Sequence, residues 1–427
     1  MITSAAPPPS NGTASDSVVA VAWDVRPGLS GLDPERLEAW FLAAGRPAYR
    51  ARQLADAIWR RHAHDVTQLR PLPGDLRALL DREFRIDTLA STEVRAADGG
   101  LTEKALHVLG DSNVVESVLM HYPARAGRRE RHTVCISSQV GCAVGCPFCA
   151  TGELGFGRDL TTSEILDQVR WAARHVAADG RRLTNVVFMG EGEPLLNLDR
   201  VLEAVRALAD PLRFGLGVRH VTVSTSGVVP AIRRLTALGP QFTLAISLHA
   251  ARDPLRDVLV PLNRRWPVSE VVAAARDHAR ATGRRVSYEC TMIGGVNDTD
   301  ADAIALAELL RGDLAHVNLI PMNPVAHTPW TASPMAAIEA FAGRVRAAGL
   351  SVTIRRNRGQ DIGAACGQLA AEHAGEPPPE VVAIRRERLV ADSAAALRGE
   401  RRRAAAAELP VALGLAGRPV PAGDRSP

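Results

Sequence analysis

Four of the six cysteines in this 427-residue chain fall within one short run, Cys135-Ile-Ser-Ser-Gln-Val-Gly-Cys142-Ala-Val-Gly-Cys146-Pro-Phe-Cys149. The last three, Cys142, Cys146 and Cys149, follow a C-x3-C-x2-C pattern, which is ligand spacing. Thiols this close do not readily reach separate disulfide partners, and no secretory leader is evident, so a metal centre is the expected reading. A structural zinc site is closed by four Cys or His ligands, usually as two short-spaced pairs. Here there is one triplet and no second pair. Three thiolates on a four-iron cluster leave one iron without a protein ligand, open to a small molecule. An all-cysteine site with Cys135 as fourth ligand is the alternative. The open cluster is favoured because the aromatic Phe148 immediately precedes the last cysteine and a strand and helix succession follows it.

Other candidate residues gain meaning from where they fall. Gly190-Glu-Gly-Glu-Pro follows the apolar run Val186-Val-Phe-Met. Glycines there let a ligand approach the backbone, and a carboxylate beside them suits an ammonium group. The spacing is not that of a dinucleotide fingerprint. Ser224, Ser247 and His249 close two further β-rich runs; singly, each reads as a cap or a satisfied polar residue. Glu116 lies inside the apolar run Val114-Val-Glu-Ser-Val-Leu-Met, where an ionised carboxylate is costly without a partner. The ordinary reading for such a residue is a side chain turned to solvent. Cys290 reads as a small core residue. Cys366, in Asp361-Ile-Gly-Ala-Ala-Cys-Gly-Gln-Leu, is a lone cysteine of the kind that is usually structural.

The elements that must hold these residues alternate. After a capping box at Thr161-x-x-Glu164, β-rich runs at Asn185–Met189, His220–Ser224, Thr243–Ser247, Val286–Thr291 and Val317–Ile320 are separated by helical patterns. With Thr133–Ile136 they make six βα units, the signature of a parallel sheet or barrel. Val352–Arg355 reads as one more strand. In such folds ligands gather at the C-terminal ends of the strands, and the motifs above lie at those ends.

Before the cysteines the pattern differs. Positions 1–28, with Ala-Ala-Pro-Pro-Pro-Ser-Asn-Gly, are expected to be disordered. Positions 29–92 read as a small helical accessory domain in which Ala51, Leu54 and Ile58 share one face, with Arg50, Arg52, Arg60 and Arg61 around the rest. Clustered cations of this kind suit phosphate contact, although an arginine-rich face is more often simply solvated. Positions 93–131 read as a β-hairpin linker turning at Gly110-Asp-Ser-Asn. Positions 132–375 carry the barrel. Positions 376–427 form an Ala/Arg/Pro-rich tail, part of it compatible with helix and expected to be mobile.

Composition sets the outer limits. Hydrophobic residues make up 46%, enough for a sizeable core, and 51 Lys+Arg against 47 Asp+Glu leave a formal charge of only +4. Net charge alone therefore does not announce a nucleic-acid partner. No run approaches the ~20 apolar residues of a membrane span, and the expectation is a cytoplasmic protein without membrane association.

At the cluster loop the chain resembles the radical S-adenosylmethionine (SAM) enzymes. A wider set of motifs is more specific: Cys135-Ile-Ser-Ser-Gln-Val-Gly-Cys, Cys146-Pro-Phe-Cys-Ala-Thr-Gly, Gly192-Glu-Pro-Leu-Leu-Asn, Val223-Ser-Thr-Ser-Gly, Ser247-Leu-His-Ala, Asn318-Leu-Ile-Pro-Met-Asn-Pro and Ala365-Cys-Gly-Gln-Leu. Together they resemble the RlmN family, which methylates C2 of adenosine in 23S rRNA and in some tRNAs, over about Gly45 to Ala371. The resemblance implies an α/β partial (β/α)6 radical SAM barrel with an N-terminal helical accessory domain. It implies a [4Fe-4S] cluster on Cys142, Cys146 and Cys149, and SAM, two per turnover, contacted by Gly192, Glu193, Ser224, Ser247, Leu248, His249 and Asn323. It further implies Cys366 as the methyl-carrying cysteine, Cys135 as its resolving partner, Glu116 as the proton acceptor, and an electron donor such as flavodoxin or ferredoxin.

Adenine C2 is an electron-poor carbon that offers no nucleophile to a sulfonium, which is why such a family uses a radical. The chain departs from the resemblance at Glu191, where Met is expected in many relatives and where the glutamate adds a carboxylate beside the SAM ammonium site, at the basic insertion near Arg128, and beyond Gly375. Two alternatives stand beside this expectation. A Cfr-like enzyme would methylate C8 of the same rRNA adenosine with nearly the same motifs; a non-catalytic, zinc-stabilised RNA-binding protein would use the cysteines structurally.

Overall fold

The computed structural model describes residues 24, 26–125, 127–355, 358–369 and 379–412. The expected disordered segment therefore lies almost wholly outside the described residues.

Three helices form the N-terminal module: α1 (Pro34–Ala43), α2 (Tyr49–Trp59) and α3 (Gly74–Glu83). Asp33 caps α1 by accepting from the Arg36 N–H, with Pro34 at the first helical position. The α2 face named above is the one that is buried: Ala51, Leu54 and Ile58 join the core with Phe41, Leu76 and Leu80. Arg170 docks this module on the barrel. It is fully buried, pairs with Asp167 and donates to the carbonyls of Ile86 and Ala63. Asp167 in turn accepts from the Thr88 N–H at 2.8 Å and from the Thr88 hydroxyl at 2.7 Å, so the buried pair is hydrogen-bonded beyond itself to backbone and to one hydroxyl.

Strands β1 (Leu89–Ala97), β2 (Thr102–Leu109) and β3 (Val114–Tyr122) form an antiparallel meander. The chain continues through β4 (Arg131–Cys135), a small hairpin of β5 (Gln139–Gly141) with β6 (Phe156–Asp159), and the one-turn helix α4 (Ala150–Leu154) between them. Strands β7 (Asn185–Phe188), β8 (Val221–Thr225), β9 (Thr243–Ser247), β10 (Val286–Met292), β11 (Ala315–Pro321) and β12 (Ser351–Ile354) follow. All of the predicted barrel strands are present. They pair in parallel in the order β4-β7-β8-β9-β10-β11-β12, and the meander extends the β4 edge to make one ten-stranded sheet. The hairpin is thus the antiparallel start of the barrel sheet.

Helices α5 (Thr162–Ala178), α6 (Leu198–Ala209), α7 (Val229–Leu238), α8 (Asp253–Leu259), α9 (Val268–Thr282), α10 (Asp300–Leu309) and α11 (Met335–Ala347) return the chain between strands. The Thr161/Glu164 capping box forms as the sequence predicts. Strands buried on both faces, such as β9 with Leu244, Ala245 and Ile246 almost fully covered, explain the near-continuous apolar runs. In the tail, Pro379–Ala412 is a helix, α12. Its Leu389 and Leu397 pack on an apolar cluster containing Val144, Phe148 and Leu255. None of the helices among the described residues is long and apolar enough to cross a membrane.

Candidate active site

The C-terminal ends of the parallel strands surround a cavity of about 160 Å³. Its lining includes Cys142, Cys146 and Cys149 with Phe148, together with Asn323, Arg355, Cys366 and Gly367, the last packed against the Phe148 carbonyl. The cysteine loop is shaped by its own backbone. Cys149 N–H donates to the Cys146 carbonyl at 3.0 Å and Cys142 N–H to the Gly155 carbonyl at 2.7 Å. Gly152 packs so closely that a Cβ would meet Cys146 backbone atoms at 2.8 and 2.9 Å.

Burial raises all three thiols above their ordinary range, Cys142 to about 12, so binding iron has to displace their protons. Among the described residues no three His, Cys, Asp or Glu side chains converge on a position for a single ion. Three thiols on the lining of one cavity suit a cluster in which each thiolate binds a different iron and one iron is left open. The donor set and the adjoining cavity therefore fit a [4Fe-4S] group.

Next to the thiols, the loop after β7 forms a ledge. Gly190 lies so close to the β4 exit that a Cβ would meet Ile136 backbone at 2.7 Å, and Gly192 has φ +98 with a Cβ position 2.6 Å from the Gln139 side chain. Only glycine fits either place. Glu193 points inward, 3% exposed, and is held on both oxygens: Leu195 N–H donates to Oε1 at 3.0 Å, and Ser226 N–H and Oγ–H each donate to Oε2 at 2.7 Å. Burial pushes its carboxyl up while the Ser226 donors pull it back.

Ser224, Ser247 and His249 line the same cavity, whereas Leu248 is fully buried and is not part of the lining. His249 has φ +60, fixed by Asn297 donating to its carbonyl at 2.8 Å. Its Nδ1 accepts from the Thr291 N–H at 3.1 Å, and its ring lies 4.6 Å from Phe148. Burial, with the Arg256 charge behind it, pushes this imidazole down to about 3, so it is neutral with its proton on Nε2.

Cys366 is brought to the cavity across more than two hundred positions of sequence. The Cys366 carbonyl accepts from Asn323 Nδ2 at 2.8 Å, and Ala150 N–H donates to the Gly367 carbonyl at 2.7 Å. Asn323 also accepts from Gln360 at 2.7 Å, so this residue fixes the cysteine loop as well as lining the cavity. Cys366 is exposed and Cys135 is buried, both as free thiols. Burial pushes Cys135 up to about 12, with a contribution from the nearby Cys366. Arg355 lines the cavity with Cys366, its guanidinium held firmly protonated above all by the Cys366 charge. Cys290 is a core residue on β10, 4% exposed.

Glu116 is not solvent-facing. It is 0% exposed on β3, with Lys104 Nζ of the neighbouring β2 3.1 Å from its Oε1 and Glu191 of the β7 loop against its backbone. Glu191 does not turn toward the ledge that Glu193 occupies. It points to β3, 1% exposed, accepting from the Glu116 N–H at 2.9 Å. Burial first, then the Glu116 charge, raises it to about 8.

A carboxyl raised this far stays protonated in the folded chain between its ordinary value near 4.5 and about 8, while the unfolded chain releases the proton. Stability from this group therefore falls as pH rises through that window, on the order of a few kcal/mol in all. Glu191→Gln is expected to raise the melting temperature at pH 8 by several degrees and to leave it nearly unchanged at pH 4.5; thermal scans at the two pH values check this.

Sequence reasoning missed three residues here. Ser226 lay two positions beyond Ser224 in a motif already singled out, and that spacing could have found it. Arg256, fully buried, donates to the carbonyls of Leu248 and Ser226 and to Asn263, tying the β8 and β9 exits together. Neither it nor Arg355 carried a local signal.

Comparison with known proteins agrees with this geometry. Residues 28–86 match the family model described as the ribosomal RNA large subunit methyltransferase N-terminal domain, and residues 136–307 match the radical SAM superfamily. A protein named probable dual-specificity RNA methyltransferase RlmN from Parafrankia sp. (strain EAN1pec) is 49% identical over 358 residues, 81% of this chain and 91% of that one. One of the same name from Mycolicibacterium paratuberculosis is 50% identical over 359 residues, 81% and 97% respectively. The crystal structure of a radical SAM methyltransferase from Sphaerobacter thermophilus superposes with TM-score 0.78 at 46% identity, covering 81% of this chain and all of that one.

Proposed function

The chain belongs to the RlmN family of radical SAM RNA methyltransferases, and from that premise we propose that it methylates C2 of adenosine in 23S rRNA, and in tRNA, through a methylated Cys366. One observation carries the proposal: three cluster-type thiols, the doubly held carboxylate Glu193 and the exposed thiol Cys366 share one cavity. Cys142, Cys146 and Cys149 hold the [4Fe-4S] group. Gly192, Glu193, Ser224, Ser247, His249 and Asn323 contact SAM, with Glu193 and Ser226 on the ammonium side and Leu248 behind the cavity wall.

A [4Fe-4S] group held by Cys142, Cys146 and Cys149 would supply the electron for reductive cleavage of SAM to methionine and a 5′-deoxyadenosyl radical, and would be an acceptor for the electron the base gives up. The protein's own groups do the rest. Cys366 sulfur accepts a methyl group from a first SAM and, after a second SAM has yielded the radical that removes a hydrogen atom, presents its methylene carbon to C2. Glu116, held by Lys104, takes the C2 proton. Cys135 attacks Cys366; an S–S bond forms, the S–CH2 bond breaks, and its electron pair with a proton completes the methyl group. Arg355 lines the cavity with Cys366, and its positive charge works against the burial that raises the Cys135 thiol. The exposed Arg52 of α2, together with Arg60 and Arg61 just past its end, faces outward to RNA phosphates, and an electron-transfer protein such as flavodoxin or ferredoxin supplies reductant in the cytoplasm.

Anaerobic reconstitution followed by reaction tests this reading. The expected protein is brown, binds about four irons per chain, and transfers label from methyl-labelled SAM to a 23S rRNA fragment and to tRNA. A colourless zinc protein that transfers no label contradicts it, and labelling of rRNA alone removes tRNA from the substrate class.

A further inference from the structure

The last pair between β3 and β4 is Val118 with Cys135. Two residues further along β3, at Glu116, the register places Ser137, which has left the strand. The peptide groups of Glu116 on that side are taken up by a closed ring of three hydrogen bonds. Glu116 N–H donates to Glu191 Oε1 at 2.9 Å. The Glu116 carbonyl accepts from Ser137 Oγ at 2.6 Å, and the same Oγ accepts from the Glu191 N–H at 2.9 Å. Glu191 therefore grips both peptide groups of Glu116, one with its carboxyl and one through Ser137. Its own backbone is fixed in turn, the Glu191 carbonyl accepting from the Ser138 N–H at 2.8 Å. Burial of the carboxyl, opposed by the Glu116 and Gly141 N–H groups, favours its neutral form.

We propose that Glu191 is a positioning residue for proton removal: it replaces the missing strand beside Glu116 and, opposite Lys104, fixes where the Glu116 carboxylate stands. The inference rests on the assignment of Glu116 as proton acceptor. In the step concerned, the proton leaves C2 for the Glu116 carboxylate and the C–H electron pair stays on the base. A carboxylate anchored at its tip by one flexible lysine and at its root by a rigid ring samples few positions, and proton transfer depends on distances within hydrogen-bond reach. Removing the acceptor leaves the Glu116 N–H buried and unpaired and frees the strand to shift. A glutamine keeps the neutral acceptor and the shape.

The test is a single-turnover reaction of the reconstituted protein with RNA, following the covalent link between Cys366 and RNA on denaturing gels. Glu191→Leu is expected to prolong that link roughly tenfold while iron content, SAM binding and methylation of Cys366 stay at native levels; Glu191→Gln is expected to behave as the native protein. Glu116→Gln serves as reference and is expected to hold the link throughout. A native link lifetime in Glu191→Leu beside a trapped link in Glu116→Gln overturns the inference and leaves the base assignment standing. Loss of iron or of Cys366 methylation in Glu191→Leu, or failure of Glu191→Gln to match the native lifetime, also overturns it, since either result means a role other than positioning Glu116. Turnover without a trapped link in Glu116→Gln removes the base assignment, and the inference with it.

Discussion

Cys366→Ala is expected to abolish RNA methylation, by about 10³-fold or more, in a protein whose iron content and absorption spectrum match the native one. The size of the effect follows from chemistry: alanine offers no sulfur to accept the first methyl group, and no neighbouring thiol can replace it. Cys135 is buried, and burial raises its thiol to about 12. The selectivity follows from structure. Cys366 is exposed on a loop held by its backbone, through Asn323 and the Gly367 contact to Ala150, so loss of its side chain disturbs neither the core nor the three cluster cysteines. Iron assay, spectrum and methyl transfer on one preparation check the prediction; methylation at the native rate would rule out the covalent route.

The second large effect is at Glu116. Glu116→Gln is expected to slow product release by about 10²- to 10⁴-fold and to leave RNA covalently attached to Cys366. An amide cannot take the C2 proton, so the reaction stops between carbon–carbon bond formation and cleavage of the sulfur–carbon bond. The surroundings sharpen the expectation. Glu116 is fully buried and Lys104, itself 6% exposed in its side chain, is 3.1 Å away, so no solvent carboxylate or hydroxide can easily replace it. A gel-shifted protein–RNA species that contains Cys366 checks this, and free release of methylated RNA by the variant would contradict it.

Much of this arrangement is legible in the sequence, for reasons that differ by residue. The barrel strands show because strands buried on both faces must be apolar, and the helices between them must be amphipathic. The cluster loop shows because metal ligation imposes spacing on neighbouring thiols. Gly190 and Gly192 show because a tight turn admits no side chain. What the sequence does not show depends on tertiary approach. Cys366 reads as a structural cysteine until the β12 exit carries it to the cavity, and only the resemblance to a family assigns it a role. Glu116 reads as a surface residue until Lys104 and the β7 loop enclose it.

Arg256 and Arg355 are long side chains that cross between elements, with partners such as Leu248 and Glu289 set by the fold and by no local pattern. Glu191 is the residue for which sequence reasoning was furthest from the structure. Its place in the Gly190-Glu-Gly-Glu motif suggests a second carboxylate toward SAM, yet Gly192 between the two glutamates, at φ +98, breaks the alternation that would put both on one face, and Glu191 serves β3 instead. The tail helix α12 lies beyond the resemblance and packs Leu389 beside the cluster loop, a contact that composition alone does not reveal.

The most direct test of the central claim is the identity of the methylated nucleoside. Purified, anaerobically reconstituted protein is incubated with SAM, reductant and 23S rRNA, the RNA is digested to nucleosides, and the methyladenosine is resolved by mass spectrometry against authentic standards. The account predicts 2-methyladenosine, formed in proportion to time and absent from the Cys366→Ala reaction. Formation of 8-methyladenosine, or of no methyladenosine by protein that carries its full complement of iron, would contradict it.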